Sequence, residues 1–193
     1  MSTLDEEDRR EYYRIEDTIA LEIRPLSASE ATGQEVLQDA SPLFNLLSEL
    51  HLSEFESQHL LRQISERDRT TAAFLKSQNK RIDLLGQVVA LTVLGQIGEP
   101  QPVIISEGGI DFQHPSSLAI GACLSVKLVL MPQALGLLLR ARVTHCDRKG
   151  DGYDIGTEFE HLTDAQRQLL ARHILQKQAQ ERRLAREQLE PGN

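Results

Sequence analysis

Near the start of the chain, the stretch from Asp8 to Arg14 reads Asp-Arg-Arg-Glu-Tyr-Tyr-Arg and brings Arg9, Arg10 and Arg14 close together. A guanidinium presents five donors in a rigid fork, which matches phosphate oxygens and also the O6/N7 edge of guanine. Arginines at this density suit a ligand that carries both phosphate and guanine. A solvated, charged arm is the competing reading, because a charge cluster alone specifies no ligand and first residues are usually loosely held.

Other reactive groups do not form a pattern. Cys123 and Cys146 lack Cys-x-x-Cys or Cys/His metal spacing. Both fall in strand-like runs, where a free Cys behaves as a small buried hydrophobe. His145-Cys146 with Asp147 or Asp151 could be drawn as a thiol site, but neighbours on a strand face opposite sides. The histidines show no zinc-type spacing, and no Gly-rich phosphate loop precedes a helix. We therefore expect no enzyme, no metal and no cofactor.

The totals narrow the partners. The chain has 193 residues, a formal net charge of -8, 4% aromatic residues and no Trp. Its core must be aliphatic. The acidic balance is wrong for a DNA, RNA or membrane-surface binder, which needs a broad basic field. Any anion must bind at a local Arg cluster. The first residues, Met-Ser-Thr-Leu-Asp-Glu-Glu-Asp, have no basic and apolar regions of a signal peptide. The most apolar run, Leu84 to Ile97, is too short and too broken to span a bilayer. We expect a cytoplasmic protein without membrane insertion.

The elements that would position the arginines follow from periodicity. Ile19, Leu21 and Ile23 alternate with Ala20, Glu22 and Arg24, a strand that Pro25 ends. Residues 27 to 40 read as a linker with a weak helical turn. Helical periodicity then runs to about Gln96. Ser41-Pro42 is an N-cap followed by Pro at the first helical position, and Leu43, Leu46, Leu47 and Leu50 form one face. His51-Leu52-Ser53 reads as a break, with Ser53 and Glu56 as a capping box for a second helix. On that helix Leu61, Ile64, Asp68, Thr71, Leu75, Gln78, Ile82, Leu85, Val89 and Thr92 trace a heptad seam with polar members. It would be about 50 Å long, more than a small domain can cover. We expect the helix at about 60–92 to self-associate, as a dimer or tetramer, although packing on its own domain is the commoner fate of an amphipathic helix.

From Pro102 the period changes to two. Val103 to Ile105, Ile110 to Phe112, Ala122 to Leu130, Leu137 to Val143 and Tyr153 to Phe159 read as strands, with a Gly-rich turn at Arg148 to Gly152. Strands joined without helices indicate a small antiparallel barrel or sandwich. Thr163-Asp164 caps a last helix to Leu189. Its first half, with Leu169, Leu170, His173, Ile174 and Leu175, can dock, and its second half is polar.

Together these residues carry a resemblance to the PilZ family. Arg10-x-x-x-Arg14 before the first strand, with Arg9 ahead of it, resembles that family's first signature. The second is an Asp or Asn, any residue, Ser, two residues, then Gly; Ile104-Ile105-Ser106-Glu107-Gly108-Gly109 matches it at Ser106 and Gly109 and departs at Ile104. Tyr153 to Phe159 resembles the family's strand with Gly-x-x-Phe. The resemblance implies an α+β chain: a six-stranded antiparallel β-barrel, here with a long inserted heptad helix and a C-terminal helix. It divides the chain into an arm and first strand (1–26), an inserted helical oligomerisation segment (27–101) and the rest of the barrel with its helix (102–193). The inserted block also resembles a PilZ subgroup that self-assembles through long helices.

By the same resemblance the ligand is the bacterial second messenger cyclic di-GMP, held by Arg9, Arg10, Arg14, Ser106 and Gly109, and the protein is an oligomeric receptor or adaptor for a protein effector. Arg10 and Arg14 would grip phosphates and guanine edges, Ser106 would donate its hydroxyl, and Gly109 would supply a turn that a side chain would obstruct. Ile104 can neither accept from guanine N–H groups nor orient the arginines. A lost base contact is worth roughly 1–3 kcal/mol, so binding is either weakened or lost. In the latter case the chain is an oligomeric scaffold that binds no cyclic di-GMP.

Overall fold

The computed structural model describes residues 13–27, 30, 31, 37 and 39–189. Six strands close into an antiparallel barrel in the order β1-β2-β3-β6-β5-β4. They are β1 (Ile15–Pro25), β2 (Gln101–Ile105), β3 (Gly109–His114), β4 (Cys123–Leu130), β5 (Leu135–Lys149) and β6 (Gly152–Glu160). Helices α1 (Pro42–Arg67) and α2 (Arg69–Ile97) lie between β1 and β2 in the chain, and α3 (Asp164–Leu189) follows β6. The α+β barrel with inserted and C-terminal helices is as the sequence predicts. Both β1 and β5 are longer than their alternating apolar runs, because a barrel strand extends as far as its neighbours supply backbone partners.

The chain divides into two compact units. One holds the described residues of Ile19–Pro100 with Leu124–Arg140. In it β1 and β4 pair antiparallel, Leu21 opposite Leu128 and Ile23 opposite Val126. Leu124, Val126, Leu128 and Leu130 are fully buried, and so is the intervening Val129. Ser125 and Lys127 alternate with these apolar residues and are buried too, so both faces of the strand are covered. Ala20 and Val129 pack with Phe44 and Leu47 of α1 and with Ala90, Val93 and Ile97 of α2. Buried Lys127 sends Nζ to Asp39 (3.0 Å) and Glu22 (3.3 Å), over the Phe44 ring.

The helical segment departs from expectation in three ways. Ser41 caps α1 as predicted, its side chain accepting from the Phe44 N–H, but no break occurs at 51–53. His51 is buried there, its ring nitrogens 3.1 Å from the Leu47 carbonyl and 3.0 Å from that of Gln133, so the helix continues. The break falls at Asp68, which has an extended backbone. Its carboxylate accepts from the N–H groups of Thr70 and Thr71 and from the Thr71 hydroxyl. An Asp between two helical runs serves better as a cap than as a polar seam member, because it satisfies N–H groups that a helix start leaves open. Finally, Phe44 and Leu47 are the buried side chains of the first turns, whereas Leu43 and Leu46 are exposed.

Helix α1 packs on α2. Gly86, Ala90, Val93 and Ile97 form the buried stripe of α2. Leu84, Leu85, Val88 and Leu91 are 53–67% exposed. The expected seam through Leu85, Val89 and Thr92 therefore runs along the boundary between a packed face and an open one.

The other unit holds the described residues through Thr18, Gln101–Cys123 and those from Ala141 onward. Here β2, β3 and β6 are consecutive neighbours, with Val103 opposite Phe112, Ile105 opposite Ile110 and Phe112 opposite Ile155. Helix α3 starts in a capping box: the Thr163 N–H donates to the Gln166 side chain, and the Gln166 N–H to the Thr163 hydroxyl. Leu169, Leu170, His173 and Ile174 are buried, and residues 179–187 are exposed. Leu175, expected on the docking face, is exposed. Both cysteines are free and only partly buried, rather than enclosed as predicted.

Candidate functional site

The second signature folds into the turn between β2 and β3. Ser106 is buried, with its N–H donating to the Gly109 carbonyl at 2.9 Å. Its hydroxyl oxygen accepts from the N–H groups of Gly108 (3.2 Å) and Gly109 (3.1 Å). A serine here closes the turn with its own side chain, as short polar side chains do in tight connections. Its hydroxyl hydrogen is directed at best weakly, with the Gly109 carbonyl 3.4 Å away. Gly109 has a different requirement. A β-carbon there would strike the Thr157 carbonyl oxygen, which belongs to the adjoining strand and cannot turn aside.

Of the three arginines, Arg14 is among the described residues; Arg9 and Arg10 lie outside them. Arg14 is largely exposed, and its Nη1 is 3.4 Å from Asp111 Oδ2. Asp111 stands on β3, two residues after Gly109 and directly opposite Ile104 of β2. On its other side Asp111 is opposite Gly156 of β6. A β-carbon at 156 would collide with the His145 ring, which lies across that glycine. Ile104, Asp111 and Gly156 thus form one row across three strands, with Arg14 at Asp111 and His145 at Gly156. Burial pushes the Asp111 carboxyl above the usual range; the charges of Arg14 and His145 and the Thr157 N–H oppose this, and Asp154 adds to it.

The structure brings Arg14, Ser106 and Gly109 to the same end of one hairpin, since two residues along a strand span about 7 Å. Sequence reasoning missed Asp111. A signal was present: a turn closed by Ser106 and Gly109 pairs 105 with 110 and 104 with 111, so the residue facing the anomalous Ile104 was readable as Asp.

A cleft of about 570 Å³ adjoins this row, lined by Val103, Ile104 and Phe112 and by charged side chains. Glu16, Asp17, Asp111, Asp154 and Glu181 outnumber Lys149 and Lys177 in its lining. An anion there depends on arginines for attraction. Among the described residues no group of His, Cys, Asp and Glu could hold a metal ion. None of the helices described is long and apolar enough to cross a membrane.

The PilZ domain model matches residues 76–176, about half of the chain. No curated protein matches at the sequence level. Among solved structures, a pathogenic protein from Xanthomonas campestris, described as a tetrameric PilZ domain self-assembled via a helical bundle, is similar with a TM-score of 0.51. The identity is 18%, over 94% of this chain and 91% of that one. The Bacillus subtilis inhibitor of motility is 14% identical over 90% of this chain and 53% of that one, with a TM-score of 0.46.

Proposed function

Because this chain belongs to the PilZ domain family, a family of cyclic di-GMP receptors, we propose that it is a homo-oligomeric receptor or adaptor for that messenger in the bacterial cytoplasm. Arg9, Arg10 and Arg14 grip phosphates and guanine edges, and the Ser106–Gly109 turn supplies the backbone against which the ligand packs. The observation that carries this reading is the contact of Arg14 with Asp111, next to that turn. It supports the reading because it puts one guanidinium of the first signature against the strand that follows the second.

Assembly uses the open face of α2. Leu84, Leu85, Val88 and Leu91 are exposed in the single chain and lie on one helical face. An apolar stripe of this kind calls for a covering partner. A second copy is the natural one, and the Xanthomonas campestris protein of the same fold is described as assembling via a helical bundle. A protein effector then reads the assembly, through a surface whose affinity differs between the free and nucleotide-bound states.

The second reading is an assembly scaffold that binds no nucleotide. Ile104 at the acid position and the acidic lining of the cleft favour it. Isothermal titration of the purified protein with cyclic di-GMP separates the two. The receptor reading expects heat at tens of micromolar protein, reduced in Arg10→Ala and Arg14→Ala. An absence of heat from the wild-type protein refutes it and leaves the scaffold.

A further inference from the structure

Ile104 and Asp111 are directly paired across β2 and β3. Paired residues point to the same face, with β-carbons about 5 Å apart. A carboxylate carried by 111 can therefore reach much of the space that one carried by 104 would reach. Ile104 is 40% exposed, and the Asp111 side chain is 22% exposed. The acid is the deeper of the two and lies under the Arg14 guanidinium. Their 3.4 Å separation is longer than a tight charge-assisted bond of about 2.8 Å. Both groups thus retain capacity for a ligand.

We propose that Asp111 supplies, from the neighbouring strand, the carboxylate that position 104 lacks: it holds Arg14 over the Ser106–Gly109 turn and accepts from the N1–H and N2–H of a guanine. The proposal rests on the receptor reading and adds a residue that neither signature contains. A carboxylate is an acceptor with two oxygens, so it complements two adjacent donors on the guanine edge. Adenine presents no such donor pair. Asp111 thus acts in two ways, as the positioning residue for Arg14 and as the group that selects the base.

The test is titration of the full-length protein with cyclic di-GMP and, separately, cyclic di-AMP. Four proteins are compared: wild type, Asp111→Ala, Asp111→Leu and the exchange Ile104→Asp/Asp111→Ile. Loss of the carboxylate should weaken cyclic di-GMP binding roughly ten- to hundredfold and narrow its advantage over cyclic di-AMP. The exchange variant should recover most of both, which a purely structural role for Asp111 would not give. The nearly isosteric Asp111→Leu keeps the comparison valid if the alanine variant fails to fold. Unchanged affinity and base preference in Asp111→Leu, which has no acceptor, overturn the proposal. If the wild type itself binds neither nucleotide, the receptor reading and base selection fall together. Tryptic cleavage after Arg14 then judges the positioning role by itself: faster cleavage in Asp111→Leu upholds it, and an unchanged rate overturns it.

Discussion

Asp17 Oδ2 lies 2.8 Å from His173 Nε2, with the two side chains 5% and 3% exposed. Strand β1 is thereby tied to the C-terminal helix, at a point three residues beyond Arg14. Lys177 Nζ reaches the other carboxylate oxygen at 2.5 Å, and the Thr18 N–H donates to it at 2.8 Å. Asp17 is the common acceptor, so its removal should be felt by both partners. Asp17→Ala should lower unfolding free energy by about 1.5–3 kcal/mol, the worth of hydrogen bonds to a charged group, read from urea denaturation.

The same carboxylate gives a pH dependence. Burial alone would raise its pKa, but hydrogen bonds from His173, Lys177 and Thr18 bring it from 3.8 down to about 2. A depressed acid contributes stability that is complete above its unfolded value and is lost as protons bind the folded form. Wild-type stability should therefore fall between about pH 4 and pH 2 more steeply than that of Asp17→Asn. Parallel slopes in denaturation at pH 2 to 6 would refute this.

Asp68 separates two helices by capping the second. In Asp68→Ala the N–H groups of Thr70 and Thr71 lose their acceptor, so their amide exchange should accelerate and the thermal midpoint should drop. Asp68→Ser retains an oxygen acceptor and should restore most of the loss. Exchange rates at these two amides, measured by NMR, decide the point.

Val88→Glu changes a side chain that is 62% exposed in the single chain. The fold should survive, because nothing buried is disturbed. The proposed assembly should not, since a charge would enter its apolar contact at a cost of several kcal/mol. Sedimentation velocity should show the wild type at a multiple of 21.7 kDa and Val88→Glu shifted toward the single-chain mass. A wild-type protein at the single-chain mass would end the assembly reading.

Gly109→Ala would drive a β-carbon into the Thr157 carbonyl. The obstacle is backbone in a paired strand, so relief requires the β3–β6 ladder to part. We expect destabilisation of about 3 kcal/mol, the upper range for overfilling a packed site, seen as a lower denaturation midpoint. Gly95→Ala, with open space around its position, is the control and should leave the midpoint unchanged or raised.

The sequence by itself determined the local structure. Alternation of apolar residues marked the strands, Ser41-Pro42 marked the start of α1, and the glycines at 150 and 152 bounded the β5–β6 turn. Each signal depends on neighbours within a few positions, which is where backbone hydrogen bonding and side-chain direction are set. The order of motifs around Arg14, Ser106 and Gly109 was legible for the same reason.

Only the tertiary structure decided which groups meet. Helical spacing from 42 to 67 is compatible with a break at 51–53, until His51 finds the Leu47 and Gln133 carbonyls. The seam was ambiguous because Leu85, Val89 and Thr92 sit at the edge between a face packed on the sheet and a face left open, and a heptad count does not distinguish those surroundings. Asp111 carries no signature in its own vicinity. It becomes the partner of Arg14, 97 positions away in the chain, because a four-residue turn sets it opposite Ile104 and barrel closure brings β1 beside β2. Contacts of that range depend on the register of several strands together.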